Sequence, residues 1–392
     1  MEEIKQENRL LYSTMLVFFI SGFCTQVIGN FVPFLRETYG FDYNFTGLLI
    51  SLSSMGGLIA VVLAGVLPLY CGRRLSILFW SFWIALGYLI LTLPIASPLF
   101  LMVAFFGVGL SRGGHSNFTS TMISTLPPPR IPSGFLLIHG SFATGALLSP
   151  LVLVLFVRQG LSWKTMALSL CILAVFRLLF YVKMDIPPLP ASGKKGMASV
   201  DYGFMKDRHF WLGAVILLFY VSVEYGIVGW LVTYFQDTGI LSSDMAQLTN
   251  SLFWALVLVG RIVGNFIAKK LSPCPILLID AIGMTGFFFL MFFATEALWV
   301  IVGLIGVSFF MATMYPTAYS FGSTNISGND FACGMLNFLP ASGGIIAPAL
   351  VGFVAEQGGI QQGMGLLVVL TVILLAVILV TAWTMRPKRC TI

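Results

Sequence analysis

The sequence predicts an all-α membrane protein with twelve transmembrane helices, and its composition and periodicity support this class. Hydrophobic side chains make up 58% of the 392 residues and charged side chains only 9%, and the mean hydropathy is +0.96. Soluble domains carry about 25% charged residues, so a soluble enzyme, a nucleic-acid binder and a disulfide-rich secreted protein are excluded. Apolar runs long enough to cross a bilayer as helices recur along the whole chain.

Twelve apolar runs define the expected spans, numbered 1 to 12 in chain order. The first run is as long as the later ones, so we expect a span there and not a cleaved signal peptide. The last run, LLVVLTVILLAVILVTAW, is apolar on all sides, whereas strands of a membrane barrel alternate apolar and polar residues. The runs lie near 14–35, 45–69, 75–96, 98–124, 133–157, 163–183, 209–235, 245–268, 275–294, 296–320, 331–355 and 363–385.

The basic residues and the longest polar interruption predict topology and domains. Lys and Arg concentrate at both termini and in the loops after even-numbered spans, which predicts that both termini are cytoplasmic. The segment from Ile186 to His209 is rich in Pro, Gly, Ser and Lys, a composition typical of linkers. We therefore expect six-helix bundles over 1–185 and 209–392, joined by a linker at 186–208. The expected location is a bacterial cell membrane, with the chain acting as a monomer in the bilayer.

An internal repeat supports the two bundles. The pattern GxxxxP occurs at Gly145 in span 5 and at Gly343 in span 11, an offset of 198 residues. A glycine near the end of a span, followed by a basic pair after that span, occurs at Gly65 in span 2 and at Gly264 in span 8, an offset of 199 residues. Two like halves with short loops are typical of transporters that alternate access to a site near the bilayer midplane.

The loop after span 2, GVLPLYCGRRLSI, resembles the signature of the major facilitator superfamily. Its glycines and paired basic residues fit, while the acidic position of that signature is Leu69 here, and the second copy has Lys269 at the corresponding position. The resemblance implies a loop motif that assists conformational change. That motif comprises Gly65, Gly72, Arg73, Arg74, Gly260, Arg261 and Gly264.

Longer stretches are similar to the fucose, galactose and glucose proton-symporter family within that superfamily. They are LLIHGSFATGALLSP in span 5, FYVSVEYGIVGWLVTYF in span 7 and MYPTAYS in span 10. The resemblance implies a secondary active transporter that moves a small polar, sugar-like solute by alternating access, coupled to a proton or sodium gradient. In the fucose permeases a coupling acid stands four residues before the span 4 Asn, and Gly113 occupies that position here.

Polar side chains within spans supply the candidate site, because an ionisable group inside a membrane costs about 2.5–3.5 kcal/mol on insertion scales. Span 4 carries Arg112 and His115 among several small polar residues, and span 7 carries Glu224 one turn after Tyr220. Amides in span 1 and tyrosines in span 10 add hydrogen-bonding groups and aromatic faces for a sugar ring. The candidate substrate-binding residues are Gln26, Asn30, Arg112, His115, Asn117, Tyr220, Glu224, Tyr315 and Tyr319.

Each of these residues also has a structural interpretation. Glu224 is expected to couple a proton, to accept hydrogen bonds from a hydroxylated substrate, or to join neighbouring helices. Arg112 and Glu224, a base and an acid near mid-membrane, are expected to meet each other or to share the substrate. The glycines beside Arg112 allow either a ligand or another helix to approach the backbone closely. Arg177 is expected to snorkel or to pair, and Asp280 to bond between helices.

Several functions are compatible with these residues. Cation-coupled sugar uptake is the leading hypothesis, and organic-anion transport, efflux of amphipathic compounds and a non-transporting sensor are the alternatives. The sequence has no phosphate-binding loop and no catalytic triad motif, so ATP-driven pumping and enzymatic activity are not expected. We expect no cofactor, no metal and no nucleic-acid partner; the expected partners are a small-molecule substrate, a coupling proton or sodium ion, and the lipid bilayer.

Overall fold

A computed structural model describes residues 2–94, 97–123, 125–127, 130–187, 202–268, 270–325 and 330–385. Regular secondary structure in these ranges is helical throughout, with short 3₁₀ segments at Val27–Phe31 and Tyr202–Lys206. The α-helices are α1 Glu2–Gln26, α2 Val32–Tyr39, α3 Tyr43–Thr92, α4 Pro98–Ile123, α5 Ile131–Arg158, α6 Trp163–Lys183, α7 Arg208–Thr238, α8 Ser243–Ile267, α9 Pro273–Phe293, α10 Ala297–Met311, α11 Met314–Gly322, α12 Asp330–Gly358 and α13 Ile360–Thr384.

The helices confirm the predicted all-α membrane fold. Span 1 consists of α1, the first 3₁₀ segment and α2; α3 contains spans 2 and 3; and α10 with α11 forms span 10. Eleven segments of the described chain have the length and hydropathy of membrane spans. The remaining predicted span is α4, a helix of 26 residues that carries the polar run around Arg112. The chain is therefore a multi-pass membrane protein.

The two spans within α3 meet at Gly72, where the helix is broken. Gly72 has φ 76° and ψ 161°, a positive φ that favours glycine over residues with a Cβ. The next two residues donate hydrogen bonds to the end of α6 and to the segment after it: Arg74 Nη2 to the Met184 carbonyl at 3.0 Å, and Arg73 Nη1 to the Pro187 carbonyl at 2.8 Å. Arg74 Nη1 also donates to the Val182 carbonyl. The basic pair therefore caps carbonyls that a helix end leaves without intrahelical partners.

Replacing Arg74 with Gln is expected to loosen the end of α6. The variant loses charge-assisted hydrogen bonds to carbonyls near residues 182–184, which contribute about 1.5–3 kcal/mol when buried and less at an exposed position such as this one. Hydrogen exchange of the backbone amides at 182–186 measures the effect. We expect faster exchange at these amides and unchanged exchange in α13. Equal acceleration in both regions, or no acceleration in either, would contradict the capping role.

Contacts divide the chain into two compact units. The first unit comprises Met1–Phe41 and Leu52–Gly193, and the second comprises Asp42–Ser51 and Lys194–Ile392. The predicted halves had placed residues 42–51 with the N-terminal bundle, so this segment groups differently. Most of the predicted linker at 186–208, residues 188–201, lies outside the described residues.

The same packing recurs inside each unit, as the repeat predicts. In the first unit α1 packs against α5, and in the second α7 packs against α12. A Cβ added to Gly145 would lie 2.2 Å from the Phe19 carbonyl oxygen, and one added to Gly343 would lie 2.5 Å from the Leu218 carbonyl oxygen. The two contacted residues, Phe19 and Leu218, are separated in sequence by nearly the same offset as the two glycines. Both glycines therefore let one helix touch the backbone of another.

The segment 42–51, the beginning of α3, packs on helices of the second unit. The Tyr43 backbone N–H donates to the Glu356 carboxylate at 2.8 Å, and the Tyr43 hydroxyl donates to the Asp237 carboxylate at 2.6 Å. Gly47 and Gly352 lie so close that a Cβ on Gly47 would be 3.2 Å from the Gly352 Cα. Nothing in the apolar pattern of span 2 distinguishes this first part from the rest, so sequence reasoning had no signal for it.

Span 10 is broken between α10 and α11, as Pro316 predicts. Proline lacks a backbone N–H, and its ring clashes with the carbonyl four residues earlier, which belongs to Ala312. Helix α10 ends at Met311 and α11 begins at Met314. Asp280 of α9 accepts a hydrogen bond of 2.5 Å from the Thr313 hydroxyl inside the break. This contact confirms that Asp280 bonds between helices.

Candidate functional site

A group of tyrosines surrounds Glu224 in the second unit. Tyr220 and Glu224 are one turn apart on α7, and the Tyr220 hydroxyl donates a hydrogen bond to the Glu224 carboxylate. Tyr220 is only 2% exposed, while Glu224 is half-buried. The spacing of four residues places both side chains on one face of the helix, as the sequence predicts.

Helix α11 brings two further tyrosines to this group. The Tyr220 and Tyr315 rings lie with centroids 6.1 Å apart and planes at 56°, within the range of favourable aromatic contacts. Tyr315 also interacts electrostatically with Tyr225, Glu224 and Tyr319. Because Pro316 breaks span 10 just before this point, Tyr315 lies in the first turn of a new helix. We name the set Tyr220, Glu224, Tyr225, Tyr315 and Tyr319 the tyrosine–carboxylate cluster.

Sequence reasoning missed two contributions to this group. Tyr225 follows Glu224 directly, so helical periodicity turns it about 100° away from the face that includes Tyr220 and Glu224. Its place in the cluster depends on α11, which is distant in sequence. Arg261 of α8, assigned to the loop motif, interacts electrostatically with Tyr220 and is exposed. The glycines near Arg261 in the sequence do not by themselves indicate that this residue lies close to α7.

The first unit carries a separate set of polar residues around the interruption of span 1. Gln26 is the last residue of α1 and is 8% exposed, and Asn30 lies in the following 3₁₀ segment and is fully buried. A change from α-helical to 3₁₀ geometry leaves backbone groups that need other partners. The two amides therefore lie where the helix is irregular, which is a common property of transporter binding sites.

The glycines beside Arg112 receive another helix and not a ligand. A Cβ on Gly113 would lie 2.3 Å from the Gly57 carbonyl oxygen, and one on Gly114 would lie 2.3 Å from the Trp80 Cγ, both in α3. The Arg112 guanidinium also lies beside Gly57, with Nη2 3.2 Å from where a Cβ would be. These glycines are therefore packing positions between α3 and α4.

His115 lies inside the helix bundle of the first unit, apart from Arg112. It is fully buried, with Nε2 3.0 Å from the Ser81 hydroxyl and Nδ1 3.1 Å from the Ser111 hydroxyl. Asn117 is half-buried, and its backbone carbonyl accepts a hydrogen bond of 2.9 Å from Thr121. The spacing of three residues between Arg112 and His115 suggested a shared ligand, but Arg112 lies beside Gly57 in span 2 and His115 contacts Ser81 in span 3.

The second copy of the loop motif positions helices. A Cβ on Gly260 would lie 2.6 Å from the Ala312 Cβ and 2.7 Å from the Phe309 carbonyl oxygen, and one on Gly264 would lie 1.9 Å from the Thr313 Cγ2. Helix α8 is therefore in contact with the break in span 10. Arg261 lies between the two glycines in sequence and interacts electrostatically with Tyr220 of the tyrosine–carboxylate cluster.

Similarity to named transporters extends over nearly the whole chain. It is 25% identical over 387 residues to the glucose/galactose transporter of Brucella abortus, covering 90% of this chain and 89% of the relative. It is 23% identical over 368 residues to the hexuronate transporter of Bacillus subtilis, covering 86% and 85%.

Solved structures show the same fold. The crystal structure of a D-xylose-proton symporter superposes with a TM-score of 0.73 at 17% identity, covering 96% of this chain and 97% of that one. The fucose:proton symporter FucP of E. coli gives 0.65 at 18% identity, covering 96% and 98%. The sequence profile of the Major Facilitator Superfamily matches residues 14–348, more than four fifths of the chain. The chain therefore belongs to the Major Facilitator Superfamily and is a membrane transporter, not an enzyme.

Proposed function

We propose that this transporter carries a hexose-type sugar by alternating access and couples its movement to a proton that binds at Glu224. The observation that carries the proposal is the tyrosine–carboxylate cluster, in which the Tyr220 hydroxyl donates to Glu224 and the Tyr220 ring contacts that of Tyr315. The relatives named for glucose and galactose transport support the same substrate class. The direction proposed is uptake across a bacterial cell membrane, with both termini cytoplasmic.

The chemistry of the cluster fits a ring that bears several hydroxyl groups. An ionised carboxylate accepts hydrogen bonds, tyrosine hydroxyls both donate and accept, and the Arg261 guanidinium donates. Aromatic faces pack against the C–H side of a sugar ring, so one site can recognise its apolar and polar parts. In the first unit Gln26 and Asn30 are further amides suited to sugar hydroxyls. His115 is not among the proposed direct contacts, because its ring is buried and both of its nitrogens lie at hydrogen-bond distance from Ser81 and Ser111.

Proton coupling would act through the acceptor role of Glu224. In its ionised form the carboxylate accepts from the Tyr220 hydroxyl, and in its protonated form it gains an O–H that donates instead. The two forms offer a substrate hydroxyl different hydrogen-bonding partners. Proton binding and sugar binding are then thermodynamically linked, since each changes the affinity for the other by the same factor.

The proposal is tested by uptake into proteoliposomes with either a pH gradient or a sodium gradient imposed. Radiolabelled glucose and galactose are the substrates, and excess unlabelled sugars are the competitors. We expect accumulation driven by an inward proton gradient and removed by a protonophore. Absence of hexose uptake under both gradients would overturn the substrate assignment, and accumulation driven only by sodium would overturn the proton assignment.

Organic-anion transport is the second candidate, because Arg261 adjoins the cluster and the chain is similar to a hexuronate transporter. Guanidinium groups bind carboxylates with paired hydrogen bonds. A sugar acid would therefore use Arg261 as well as the tyrosines. This candidate is favoured if hexuronate inhibits glucose uptake much more strongly than galactose does. The Arg261→Gln variant should then lose hexuronate binding selectively.

Removing the aromatic face of Tyr315 is expected to weaken sugar transport. The Tyr315→Leu variant keeps an apolar side chain but loses ring packing, worth about 0.5–1.5 kcal/mol beyond burial, so the KM for the sugar should rise about 2- to 13-fold. The matched control is Tyr70→Leu, since Tyr70 is 85% exposed. Initial uptake rates measured across sugar concentrations separate KM from the maximal rate. An unchanged KM in Tyr315→Leu would remove this residue from the site.

A further inference from the structure

Arg177 of α6 is enclosed in the first unit and does not snorkel to the membrane surface. Its side chain is fully buried. Nη2 donates to the Ser111 hydroxyl at 3.2 Å. Nε and Nη1 are buried and have no hydrogen-bond partner among the described residues, and the buried Tyr181 hydroxyl, one turn along α6, likewise has none there. Three groups able to donate hydrogen bonds therefore remain unsatisfied on one stretch of one helix.

Neighbouring polar groups cannot satisfy these donors, because they form a closed chain with one another. His115 Nδ1 lies 2.7 Å from the Ser111 carbonyl oxygen, which can only accept, so Nδ1 carries the hydrogen and donates to it. His115 Nε2 then accepts from the Ser81 hydroxyl at 3.0 Å. The Ser111 hydroxyl oxygen accepts from Arg177 Nη2.

The charge of Arg177 also lacks a counterion in the described part of the chain. The side chains that interact with it electrostatically are Tyr181, Cys24, Tyr88 and His115, and none is a carboxylate. The Tyr88 hydroxyl donates to the Cys24 carbonyl, which identifies it as a neutral phenol. A buried charge is tolerated in proteins when it is paired and hydrogen-bonded.

We propose that a small inorganic anion of the halide class accepts hydrogen bonds from the Tyr181 hydroxyl and from one unpartnered N–H of the Arg177 guanidinium, at Nε or at Nη1. A monatomic anion accepts several hydrogen bonds and needs no donor in return, which matches a site made only of donors. It also neutralises the guanidinium, which a water molecule would not do. Bound there, the anion stabilises the contact of α6 with α4 and, through His115 and Ser81, with α3. This site is separate from the tyrosine–carboxylate cluster and does not rest on the proposed transport function.

Thermal unfolding of the purified transporter in lipid nanodiscs tests the proposal. Sodium chloride or sodium bromide is titrated against sodium gluconate at constant ionic strength. We expect the Tm of the wild type to rise saturably with the halide concentration, and the Tm of Arg177→Met to be independent of it. Tyr181→Phe should shift the half-maximal halide concentration several-fold upward. The control Arg74→Met, which removes an exposed arginine hydrogen-bonded to carbonyls, should keep the wild-type response.

A second measurement needs no variant and so remains decisive if Arg177→Met fails to fold. Crystals of the wild type grown with bromide should show an anomalous difference peak at hydrogen-bond distance from Arg177 Nε or Nη1. A wild-type Tm that does not distinguish halide from gluconate, an equal halide response in Arg177→Met, or bromide crystals without a peak at Arg177 would each overturn the proposal.

Discussion

Replacing Glu224 with Gln is expected to abolish proton-driven sugar accumulation while sugar binding and exchange continue. The amide oxygen of Gln can still accept a hydrogen bond from the Tyr220 hydroxyl, which donates to the carboxylate in the wild type. Gln cannot take up or release a proton. A gradient of one pH unit supports about tenfold accumulation per coupled proton, since each unit corresponds to about 1.4 kcal/mol. In the variant the accumulation ratio of the sugar should therefore fall from this limit to one, with equal concentrations on the two sides of the membrane.

Two assays in proteoliposomes separate coupling from binding in this variant. Counterflow of labelled sugar against preloaded unlabelled sugar reports exchange, and accumulation under an imposed pH gradient reports coupling. Glu296→Gln is the control, because Glu296 is an exposed residue immediately before α10. Proton-driven accumulation retained in Glu224→Gln would show that Glu224 is not the coupling group. Loss of both exchange and accumulation would assign Glu224 to substrate binding or to the stability of the fold.

Adding a single methyl group at Gly145 is expected to destabilise the first unit. The new Cβ would lie 2.2 Å from the Phe19 carbonyl oxygen and 2.7 Å from the Phe23 backbone nitrogen, so α1 and α5 must separate. Overpacking of this kind costs about 1–3 kcal/mol. The matched control on the same helix is Gly140→Ala, where a Cβ would meet nothing within 4 Å and helix propensity favours Ala by about 1 kcal/mol.

Thermal unfolding in one detergent compares these variants, with Gly343→Ala included for the second unit. Gly343 faces the Leu218 carbonyl oxygen as Gly145 faces that of Phe19, so both substitutions should lower the Tm. Gly140→Ala should leave the Tm unchanged or raise it. Equal Tm values for Gly145→Ala and Gly140→Ala would contradict the close approach of α1 and α5.

Much of the second-unit cluster could be predicted from sequence because it depends on periodicity within one helix. Tyr220 and Glu224 are one turn apart, and the break before Tyr315 follows from the missing N–H of Pro316. The place of Tyr225 in the cluster could not be predicted, because it depends on α11. The electrostatic interaction of Arg261 with Tyr220 could not be predicted either, because α8 and α7 are separate helices. The pairing of Arg112 with Glu224 stays a prediction, and so does the role of each residue in transport.

The first unit shows the limit of spacing arguments more strongly. Arg112 and His115 are close in sequence, yet Arg112 lies beside Gly57 of α3 while His115 bonds to Ser81 and Ser111. Three residues along a helix correspond to about 300° of rotation, so neighbours on one edge still reach different partners. Only the positions of the surrounding helices decide which partner each side chain meets.

The sequence by itself determined that the chain is a multi-pass helical membrane protein, because a backbone in lipid must satisfy its hydrogen bonds within each span. It also revealed the repeat, because the glycines that permit close helix packing occur at equivalent positions in both halves. Tertiary structure alone decided that the glycines beside Arg112 receive α3, that Arg177 is enclosed, and that residues 42–51 group with the second unit. These depend on how each helix is rotated and placed against others, which hydropathy cannot encode when nearly every face of a span is apolar.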